Sequence, residues 1–452
     1  MSIKNQNILQ KNQKYTVEIV DYGSNGEGVA KIEGVTVFVP FSIVGEKVEI
    51  ILIVIKKDFA IAKIVNIIQR SPNRVDPKCQ YYSKCGGCQL QHMNYAEQLK
   101  FKQKYVQNSL KKFAGYVGGI EQCEASASEY AYRNKFSFPV GEADGKIFVG
   151  MYRPASHNLV EIEECVIQED SKPIIDAFLR FANENDVHAF SDQHPDGVKH
   201  LVARTNKNEV LVCVVSVKKI RNLHKFAVIL QKKYKKVHII NNINTKNNNV
   251  ILGDKDFVVL GDGQIEFNEF NLKYNVNVHS FLQVNNDIKH KLYNSVLGEI
   301  GSKDIVIDAY SGAGVLSAII AKKCQRVYGI EIVKEAVENA NSLAQDNGIV
   351  NLNNVCGDCA EELPKIIKNS KANVVVLDPP RKGCDKRVLD SLIAACPQKI
   401  IYVSCDPSTL ARDLKILAGN YEIAKIKPFD MFPQTANVET LAILKLNQNC
   451  KN

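Results

Sequence analysis

Two short segments near the end of the chain place reactive side chains where buried strands are expected to stop. Residues 374–378 are an apolar run that ends in Asp378 and is followed by two prolines. Residues 399–404 are a second apolar run that leads directly into Cys405. Proline cannot continue the hydrogen bonding of a sheet, so each strand should end there and fix the loop that carries the preceding side chain. Asp378 and Cys405 are therefore candidates for chemistry at one end of a sheet.

Cys405 is the candidate nucleophile. A single cysteine at the end of a strand is more often a small buried hydrophobic residue. Here, however, Cys405 precedes Asp406-Pro407 and the expected helix start Ser408-Thr409. Because the dipole at the start of a helix stabilises a thiolate, the sequence predicts that Cys405 ionises more readily than an ordinary cysteine.

A thiolate and a general base are together what methylation of a uracil ring at carbon 5 requires. Carbon 5 is a poor nucleophile, but addition of a thiolate to carbon 6 creates an enolate that can attack a sulfonium methyl group. The proton on carbon 5 must then be removed by a base. Glu439, at the end of the segment MFPQTANVE (residues 431–439), is our candidate for this base. A glutamate considered by itself is more often a surface residue.

A glycine-rich turn and three acidic residues indicate where a nucleoside-containing ligand would bind. Ligands of open α/β sheets bind beyond the carboxyl ends of the strands. The segment DAYSGAG (residues 308–314) follows an apolar run, and its glycines would let a ligand approach the backbone. Glu331 ends the next strand, where it could accept hydrogen bonds from both ribose hydroxyls, and Asp358 follows a third strand, where it could contact adenine. The turn has neither the GxGxxG spacing nor a P-loop lysine, which favours S-adenosylmethionine over NAD.

Four cysteines in the first part of the chain are candidates for a metal site. Cys79, Cys85 and Cys88 lie within ten residues of one another, and Cys165 is a possible fourth ligand. Iron–sulfur clusters and structural zinc both take four thiolates, so the spacing alone leaves both open. The spacing differs from the C-x3-C-x2-C of radical S-adenosylmethionine enzymes, so a structural role is expected. The odd total of 13 cysteines argues against a disulfide framework.

The pattern of apolar residues predicts three units that would position these side chains. Residues 10–69 contain five short β-rich runs separated by glycines, as in a small OB-like barrel that holds single-stranded nucleic acid. Residues 70–275 are expected to form a central α+β domain, with an amphipathic helix at about 95–113 that could pack on the catalytic domain. Their asparagine-rich run, residues 241–249, is expected to be a loop tip. Residues 276–452 alternate short strands with helices, which indicates a parallel α/β sheet with helices on both faces.

Charge and hydropathy favour a protein with a polyanionic partner and argue against a membrane protein or an exported one. Residues 1–130 carry 17 Lys and Arg against 12 Asp and Glu, which is more than half of the net charge of +9. This excess suits a polyanionic partner, although a solubilising surface would explain it as well. No apolar run approaches the ~20 residues of a membrane helix, and the N-terminus lacks an apolar signal core, so a cytoplasmic protein is expected. Because residues 10–69 contain no candidate catalytic motif, we expect the barrel to be separate from the catalytic site and to strengthen RNA binding only.

Taken together, these motifs resemble those of the TrmA/RlmD-type RNA uracil-5-methyltransferases, and the resemblance covers nearly the entire chain. The segments DPPRKG (residues 378–383), YVSC (402–405) and FDMFPQT (429–435) with Glu439 are similar to the family's signatures around its nucleophile and base. The resemblance implies an N-terminal TRAM domain, a Rossmann-like catalytic domain and S-adenosylmethionine as methyl donor.

The resemblance also implies ligands and a substrate. Four residues are implied as cofactor contacts: Gln283 in the segment FLQVN, Tyr310, Glu331 and Asp378. The four cysteines described above are implied to hold a [4Fe–4S] cluster rather than zinc. The TRAM domain and the cluster resemble the ribosomal-RNA members more than the shorter transfer-RNA members. The expected substrate is therefore 23S ribosomal RNA, and the expected state is a monomer.

Two positions depart from the family pattern. Asp406 stands where an asparagine or serine usually follows the nucleophile, and a carboxylate there would raise the pKa of Cys405 unless it is paired or points away. Asn437 stands where a histidine is usual. Three other functions stay open: methylation of transfer RNA, methylation of an exocyclic amine, which uses motifs similar to Asp-Pro-Pro, and RNA binding without catalysis.

Overall fold

The computed structural model describes residues 9–448, and its N-terminal part is a sheet of six short strands. The strands are β1 (Lys14–Glu18), β2 (Asp21–Tyr22), β3 (Gly28–Ile32), β4 (Val35–Val39), β5 (Lys47–Ile55) and β6 (Phe59–Gln69). Their order is β1-β5-β6-β4-β3-β2, and every pair except β4 with β6 is antiparallel. Alternate residues such as Ile50 and Leu52 are fully buried. The five predicted strands are present, and β2 is an additional one of two residues.

One helix connects this sheet to the rest of the molecule. α1 (Tyr95–Ser109) is capped by Asn94, whose side chain accepts a hydrogen bond from the first turn. The chain then continues as a π-helical segment, Leu110–Ala114. Val106 and Leu110 lie in the hydrophobic core of the C-terminal sheet, so the helix packs on the region that carries the candidate catalytic residues.

The N-terminal sheet is not separate from the catalytic motifs. Ile43, in the connection between β4 and β5, lies in one buried cluster with Leu90, Phe101 and Ala436, and Ala436 belongs to the segment that leads to Glu439. The expectation of a separate barrel is therefore wrong, because apolar residues from three parts of the chain are buried together. Exposing Leu90 or Phe101 by removal of the sheet would cost roughly 1.5–3 kcal/mol for each side chain.

The central region contains a seven-stranded sheet covered by two helices. Its elements are β7 (Lys135–Ala143), β8 (Lys146–Tyr152), β9 (Leu159–Glu161), α2 (Ser171–Glu184), β10 (Val198–Asn206), β11 (Glu209–Ser216), α3 (His224–Leu230), β12 (Lys236–Ile243) and β13 (Lys255–Leu260). The strand order is β13-β12-β11-β10-β7-β8-β9. Phe178 and Phe181 of α2 pack against Phe226 of α3 in the core between helices and sheet.

The asparagine-rich run of the central region is only partly a loop. Asn241 and Asn242 lie in β12 and are fully buried, which corrects the expected loop tip. The Asn241 amide donates a hydrogen bond to Val214 O at 3.0 Å, and the Asn242 amide donates one to Gly253 O at 2.9 Å. These asparagines can be buried because protein carbonyls replace water as their partners.

The C-terminal region is an α/β unit preceded by a two-stranded ribbon. Its elements are β14 (Ile265–Glu269), β15 (Leu272–Val276), α4 (Asn286–Gly298), β16 (Ile305–Ala309), α5 (Val315–Ala321), β17 (Arg326–Glu331), α6 (Lys334–Asp346), β18 (Leu352–Cys356), α7 (Cys359–Ser370), β19 (Val374–Leu377), α8 (Lys386–Ala395), β20 (Lys399–Ser404), α9 (Pro407–Leu417), β21 (Tyr421–Phe429) and β22 (Glu439–Leu446). Helices α4 to α6 pack on one face of the sheet and α7 to α9 on the other. This is the Rossmann-like arrangement that the sequence predicted.

The order of strands in this sheet is β18-β17-β16-β19-β20-β22-β21. The first five strands are parallel, and β22 is antiparallel to both of its neighbours. The last strand therefore lies between two strands that precede it in the chain. Within residues 9–448, no helix combines the length and the apolar character needed to span a membrane.

Candidate active site

The candidate residues meet at one edge of the C-terminal sheet. β17, β16, β19 and β20 are parallel neighbours, so their carboxyl ends share an edge. Glu331, Asp308, Asp378 and Cys405 lie at these four strand ends. β22 runs in the opposite direction, so its first residue, Glu439, lies at the same edge. The topology thus collects five reactive side chains from the last third of the chain.

Strand register brings Cys405 and Glu439 together. Ser404 of β20 is opposite Thr440 of β22 in an antiparallel ladder, so the next position along the ladder pairs Cys405 with Glu439. Directly opposed side chains in such a ladder have Cβ atoms about 4.5–5.5 Å apart. The structure therefore makes the candidate nucleophile and the candidate base neighbours.

Two buried carboxyl groups at this edge have raised pKa values. Burial, together with the charge of Asp378, raises the pKa of Glu439 to about 8, and Arg381 partly opposes this shift. Burial and the charge of Asp308 raise the pKa of Asp378 to about 7. A carboxyl group whose pKa lies near neutrality can accept and release a proton at physiological pH.

The thiol of Cys405 is harder to ionise than the sequence predicted. Burial, followed by the charge of Glu439, raises the pKa of Cys405 to about 11; Asp378 adds to the shift and Arg381 opposes it. The prediction that Cys405 ionises more readily than an ordinary cysteine is therefore wrong. The helix dipole is a local effect, whereas the opposing carboxyl groups come from two other strands.

Asp406 is not among the groups that keep this thiol protonated. Its carboxylate caps α9 and accepts hydrogen bonds from Ser408 N at 2.8 Å and from Thr409 N at 3.1 Å. The carboxylate is thus paired. Pairing is one of the two conditions under which a carboxylate at this position would not raise the pKa of Cys405. Asn437, the other departure from the family pattern, is exposed.

The turn after β16 is held close to Glu331. The Glu331 carboxylate accepts hydrogen bonds from Gly312 N at 3.0 Å and from Val333 N at 2.8 Å, which fixes its position at the strand end. Gly314 has a φ of 76°, and a Cβ added there would lie 2.5 Å from Ala340 Cβ. Only glycine fits this approach of turn and helix, so packing accounts for Gly314 and ligand binding is not needed to explain it.

Three other predicted ligand contacts differ in whether their polar groups already have hydrogen-bond partners in the protein. Gln283 is buried, and its side chain forms no hydrogen bond with any other residue in the range 9–448. Tyr310 is half-buried, and burial raises its pKa. Asp358 caps α7 by accepting a hydrogen bond from Ala360 N at 2.9 Å. Because its amide is not engaged by another side chain or by the backbone, Gln283 is the residue of the three whose polar group is most available to a ligand.

Two charged features of the site were not singled out from the sequence. Arg381 is the cation whose charge lowers the pKa of both Cys405 and Glu439. Its place in the DPPRKG motif was a usable signal. Lys102 and Asp430 form an ion pair in which both side chains are fully buried. They are 328 residues apart, so no local pattern could have revealed the pair.

The four candidate metal-binding cysteines, Cys79, Cys85, Cys88 and Cys165, line one cavity of about 180 Å³. Burial raises the pKa of each thiol, to about 12 for Cys88 and Cys165, so their thiolates need a cation to be stable there. As far as the structure describes the chain, no three of these sulfur atoms lie within 4.8 Å of one another. Four thiolates on one zinc ion would be about 3.8 Å apart. The sulfur atoms are therefore not gathered as closely as on one bound zinc ion, and a donor set of four thiols suits an iron–sulfur cluster.

A second group of metal-binding residue types lies in the central region. Glu142, His188 and His194 each bring one ligand atom within 4.8 Å of the others. The two imidazole rings are stacked, with centroids 3.7 Å apart and planes 1° apart. Because a metal ion must lie in the plane of each imidazole that binds it, two stacked rings offer no common position. A hydrogen bond between His188 Nδ1 and Glu142 Oε1 at 3.1 Å, together with stacking, accounts for the group.

The chain is similar to RNA-modifying enzymes over nearly its whole length. Residues 94–447 match the tRNA (uracil-5-)-methyltransferase family, and residues 9–65 match the TRAM domain. Uncharacterized RNA methyltransferases of Clostridium acetobutylicum and Halalkalibacterium halodurans are 40% and 36% identical, with coverage of 97% and 98% of this chain and of 98% and 99% of theirs. A crystal structure of the Pyrococcus abyssi tRNA (uracil-54, C5)-methyltransferase in complex with S-adenosyl-L-homocysteine is 27% identical, with a TM-score of 0.77 over 95% of this chain and 99% of that chain.

Proposed function

The chain belongs to the tRNA (uracil-5-)-methyltransferase family and is an RNA methyltransferase, and we propose that it methylates carbon 5 of a specific uridine through a covalent adduct with Cys405. The register of β20 and β22, which sets Cys405 opposite Glu439, is the observation that carries this proposal. The reaction needs a thiol on one ring carbon and a base at the next, so the two groups must be fixed side by side.

In the first half of the proposed reaction, Cys405 forms a bond to carbon 6 of the uracil ring. The thiol must lose its proton as the uracil enters, and Asp378, with a pKa of about 7, is a neighbouring group able to accept it. The positive charge of Arg381 stabilises the resulting thiolate. Addition to carbon 6 moves an electron pair to carbon 5, which attacks the methyl group of the cosubstrate S-adenosylmethionine; the bond from sulfur to this methyl group breaks, and S-adenosylhomocysteine is the leaving group.

In the second half, Glu439 releases the product. Carbon 5 now carries both the new methyl group and its original proton. Glu439 accepts that proton, the electron pair of the C–H bond restores the double bond between carbons 5 and 6, and the bond from carbon 6 to sulfur breaks to give the thiolate. A glutamate whose pKa is raised to about 8 is a stronger base than an ordinary glutamate.

We propose that S-adenosylmethionine binds along the carboxyl ends of β16, β17 and β19. Its contacts would be Gln283, Tyr310, Glu331, Asp358 and Asp378. Glu331 is the clearest of these, because two backbone N–H groups hold its carboxylate and leave lone pairs free for the ribose hydroxyls. The Pyrococcus abyssi relative was crystallised with S-adenosyl-L-homocysteine, which is what S-adenosylmethionine becomes when it gives up its methyl group.

We also propose that Cys79, Cys85, Cys88 and Cys165 hold a [4Fe–4S] cluster. The support is the cavity that the four thiols share and the resemblance of their sequence spacing to that of the family's cluster ligands. Bonds to iron would tie Cys165 to the segment that carries the other three ligands and so stabilise the folded central region. No step of the proposed reaction requires electron transfer, so the role of the cluster is structural.

For the substrate we propose 23S ribosomal RNA, with transfer RNA as the second candidate. The presence of a TRAM domain and four cluster ligands supports ribosomal RNA through the family resemblance. Transfer RNA is supported by the Pyrococcus abyssi enzyme, which acts on tRNA and matches 95% of this chain. Incubating the protein with each RNA and labelled S-adenosylmethionine, then mapping the label, decides between them.

One experiment tests the proposed chemistry. RNA treated with the protein and S-adenosylmethionine should contain 5-methyluridine, and Cys405→Ala should abolish it. Cys396→Ala is the matched control, because Cys396 lies at the end of α8 beyond the opposite edge of the sheet. Methylation of an exocyclic amine that persists in Cys405→Ala, or RNA binding with no methyl transfer, would each contradict the proposal.

A further inference from the structure

The segment that leads to the base has an unusual backbone conformation. Residues 430–438 form no helix or strand between β21 and β22, and they end at Glu439. Gln434, in the middle of this base segment, is buried and has a φ of 72°. A side chain other than glycine is rarely found in this left-handed region, so surrounding contacts must hold it there.

Helix α1 supplies the first of these contacts. Gln98 Oε1 accepts a hydrogen bond from Gln434 N at 2.9 Å, and Gln98 Nε2 donates one to Gln434 Oε1 at 3.0 Å. Both side chains are about 1% exposed, so the pair is shielded from water. Loss of either amide would leave buried donors and acceptors without partners, which costs about 1–3 kcal/mol per group.

The segment with the cysteines supplies the second contact. Gln89 and Leu90 follow Cys88 directly, and both donate backbone N–H groups to Gln434 O, at 3.1 Å and 3.0 Å. The Gln89 side chain lies between the two segments. Its Nε2 donates to Gly86 O at 2.9 Å, and its Oε1 accepts from Ala436 N at 3.3 Å.

A third contact fixes the start of the base segment. The buried ion pair joins Lys102 of α1 to Asp430, and Lys102 Nζ also donates to Phe432 O at 2.9 Å. The base segment is therefore held at its start by α1 and at its middle by both α1 and the residues after Cys88. The last of these contacts is at Ala436, three residues before Glu439.

We propose that Gln89 and Gln98 are positioning residues for the base, and that the four-cysteine site sets the position of Glu439 through Cys88, Gln89 and Gln434. The inference rests on the proposed function and deepens it. It assigns the cysteine site a defined role in one step, the transfer of the carbon 5 proton to Glu439 with restoration of the ring double bond and loss of the sulfur bond. Addition of Cys405 and methyl transfer precede that step and do not use Glu439 as the base.

The first test compares Gln98→Met and Gln89→Met with Gln103→Met, a control on α1 whose amide donates only to Ile120 O. Single-turnover reactions with label in the methyl group of S-adenosylmethionine follow a protein–RNA adduct that survives denaturation. In both test variants the adduct should form at the wild-type rate and decay about 10-fold to about 100-fold more slowly, because the base is misplaced by a fraction of an ångström. The control should match the wild type.

The second test does not use activity. Hydrogen exchange at the Gln434 and Ala436 amides should be faster in Gln98→Met, and also in wild-type protein from which iron has been removed by a chelator. Amides of β16 serve as an internal reference for global unfolding.

The outcomes separate the hypotheses. If the wild type itself never forms an adduct, the proposed function fails. If adducts form but formation and decay slow together, or neither changes, the residues have only a structural role and the positioning proposal is wrong. Unchanged exchange at Gln434 after iron removal would overturn the link to the cysteine site.

Discussion

At the scale of single residues, Cys405 and Glu439 should fail at different stages of the reaction. Cys405→Ala should form no covalent RNA complex, because it has no thiol to add to carbon 6. Glu439→Gln should add the thiol and transfer the methyl group, then stall before elimination. Denaturing electrophoresis with label in the methyl group of the cosubstrate should show a labelled protein–RNA band that persists for Glu439→Gln and never forms for Cys405→Ala.

Two results would change the assignment of the base. Normal turnover by Glu439→Gln would give the role to another residue, with Asp378 next in line. If Glu439→Gln bound RNA but formed no adduct, Glu439 would act before proton removal.

The raised pKa of Glu439 has a consequence for stability. The pKa of Glu439 rises from 4.5 to about 8 on folding. Its contribution to the free energy of unfolding is therefore complete below pH 4.5 and is lost as the pH rises through 8. Glutamine is uncharged throughout this range. Glu439→Gln should therefore gain stability relative to the wild type between about pH 5 and about pH 9, by on the order of 4 kcal/mol.

Chemical denaturation of both proteins at the two ends of this range measures the effect. Thr435→Val, which alters a nearby buried polar group that does not titrate, is the control and should show a difference from the wild type that is independent of pH. A pH-independent difference for Glu439→Gln as well would mean that the Glu439 pKa is not raised.

Sequence reasoning at this scale found the reactive residues but not their protonation states. Cys405 and Asp378 could be found because prolines follow the strands that carry them. The Cys405 thiol was predicted to be ionised because only the local helix was visible in the sequence. The pKa is instead set by burial and by Glu439, which is a neighbour only after β22 has been placed.

At the scale of helices and strands, Asp406 should matter as a helix cap. Asp406→Ala removes the acceptor for two N–H groups of α9 and should destabilise the protein by about 1 kcal/mol. Asp406→Asn keeps a capping side chain and should retain both stability and activity. Thermal unfolding and methylation assays measure the two effects. A large rise in activity for Asp406→Asn would show that the carboxylate does restrain the thiol.

The sequence predicted the elements well where periodicity was clear and failed where side-chain partners decide burial. The strands that end at Glu331 and Ser404 follow from short apolar runs bounded by polar residues. Asn241 and Asn242 were predicted to lie in a loop. Their burial could not be foreseen, because the carbonyls that accept hydrogen bonds from their amides belong to distant residues. The Gln98 and Gln434 pair spans 336 residues and had no local signal.

At the scale of the whole molecule, the cysteine site joins parts of the chain that are far apart in sequence. Cys85→Ser should remove the brown colour of anaerobically purified protein together with its soluble yield, because a structural cluster stabilises only the folded state. Absorbance spectra and iron content measure the loss. Cys213→Ser, at a buried cysteine outside this cavity, is the control and should keep its iron. A colourless, folded wild-type protein that contains zinc would contradict the cluster.

The N-terminal strands and the C-terminal parallel sheet were predicted, but not the way they fit together. Periodicity placed the N-terminal sheet and the α/β unit correctly. The burial of Ile43 and Ala436 in one cluster was missed, because contacts between distant segments cannot be inferred from the spacing of apolar residues. Through this cluster the N-terminal region helps to support the base segment.

The position of β22 also bears on how the enzyme is made. During translation, β20 and β21 emerge before the strand that separates them, so the sheet has a gap beside Cys405 until Glu439–Leu446 has been synthesised. The nucleophile and the group that releases it are therefore completed in one late folding event. Until β22 is in place, Cys405 lacks both its neighbouring strand and the group that would release it from the RNA.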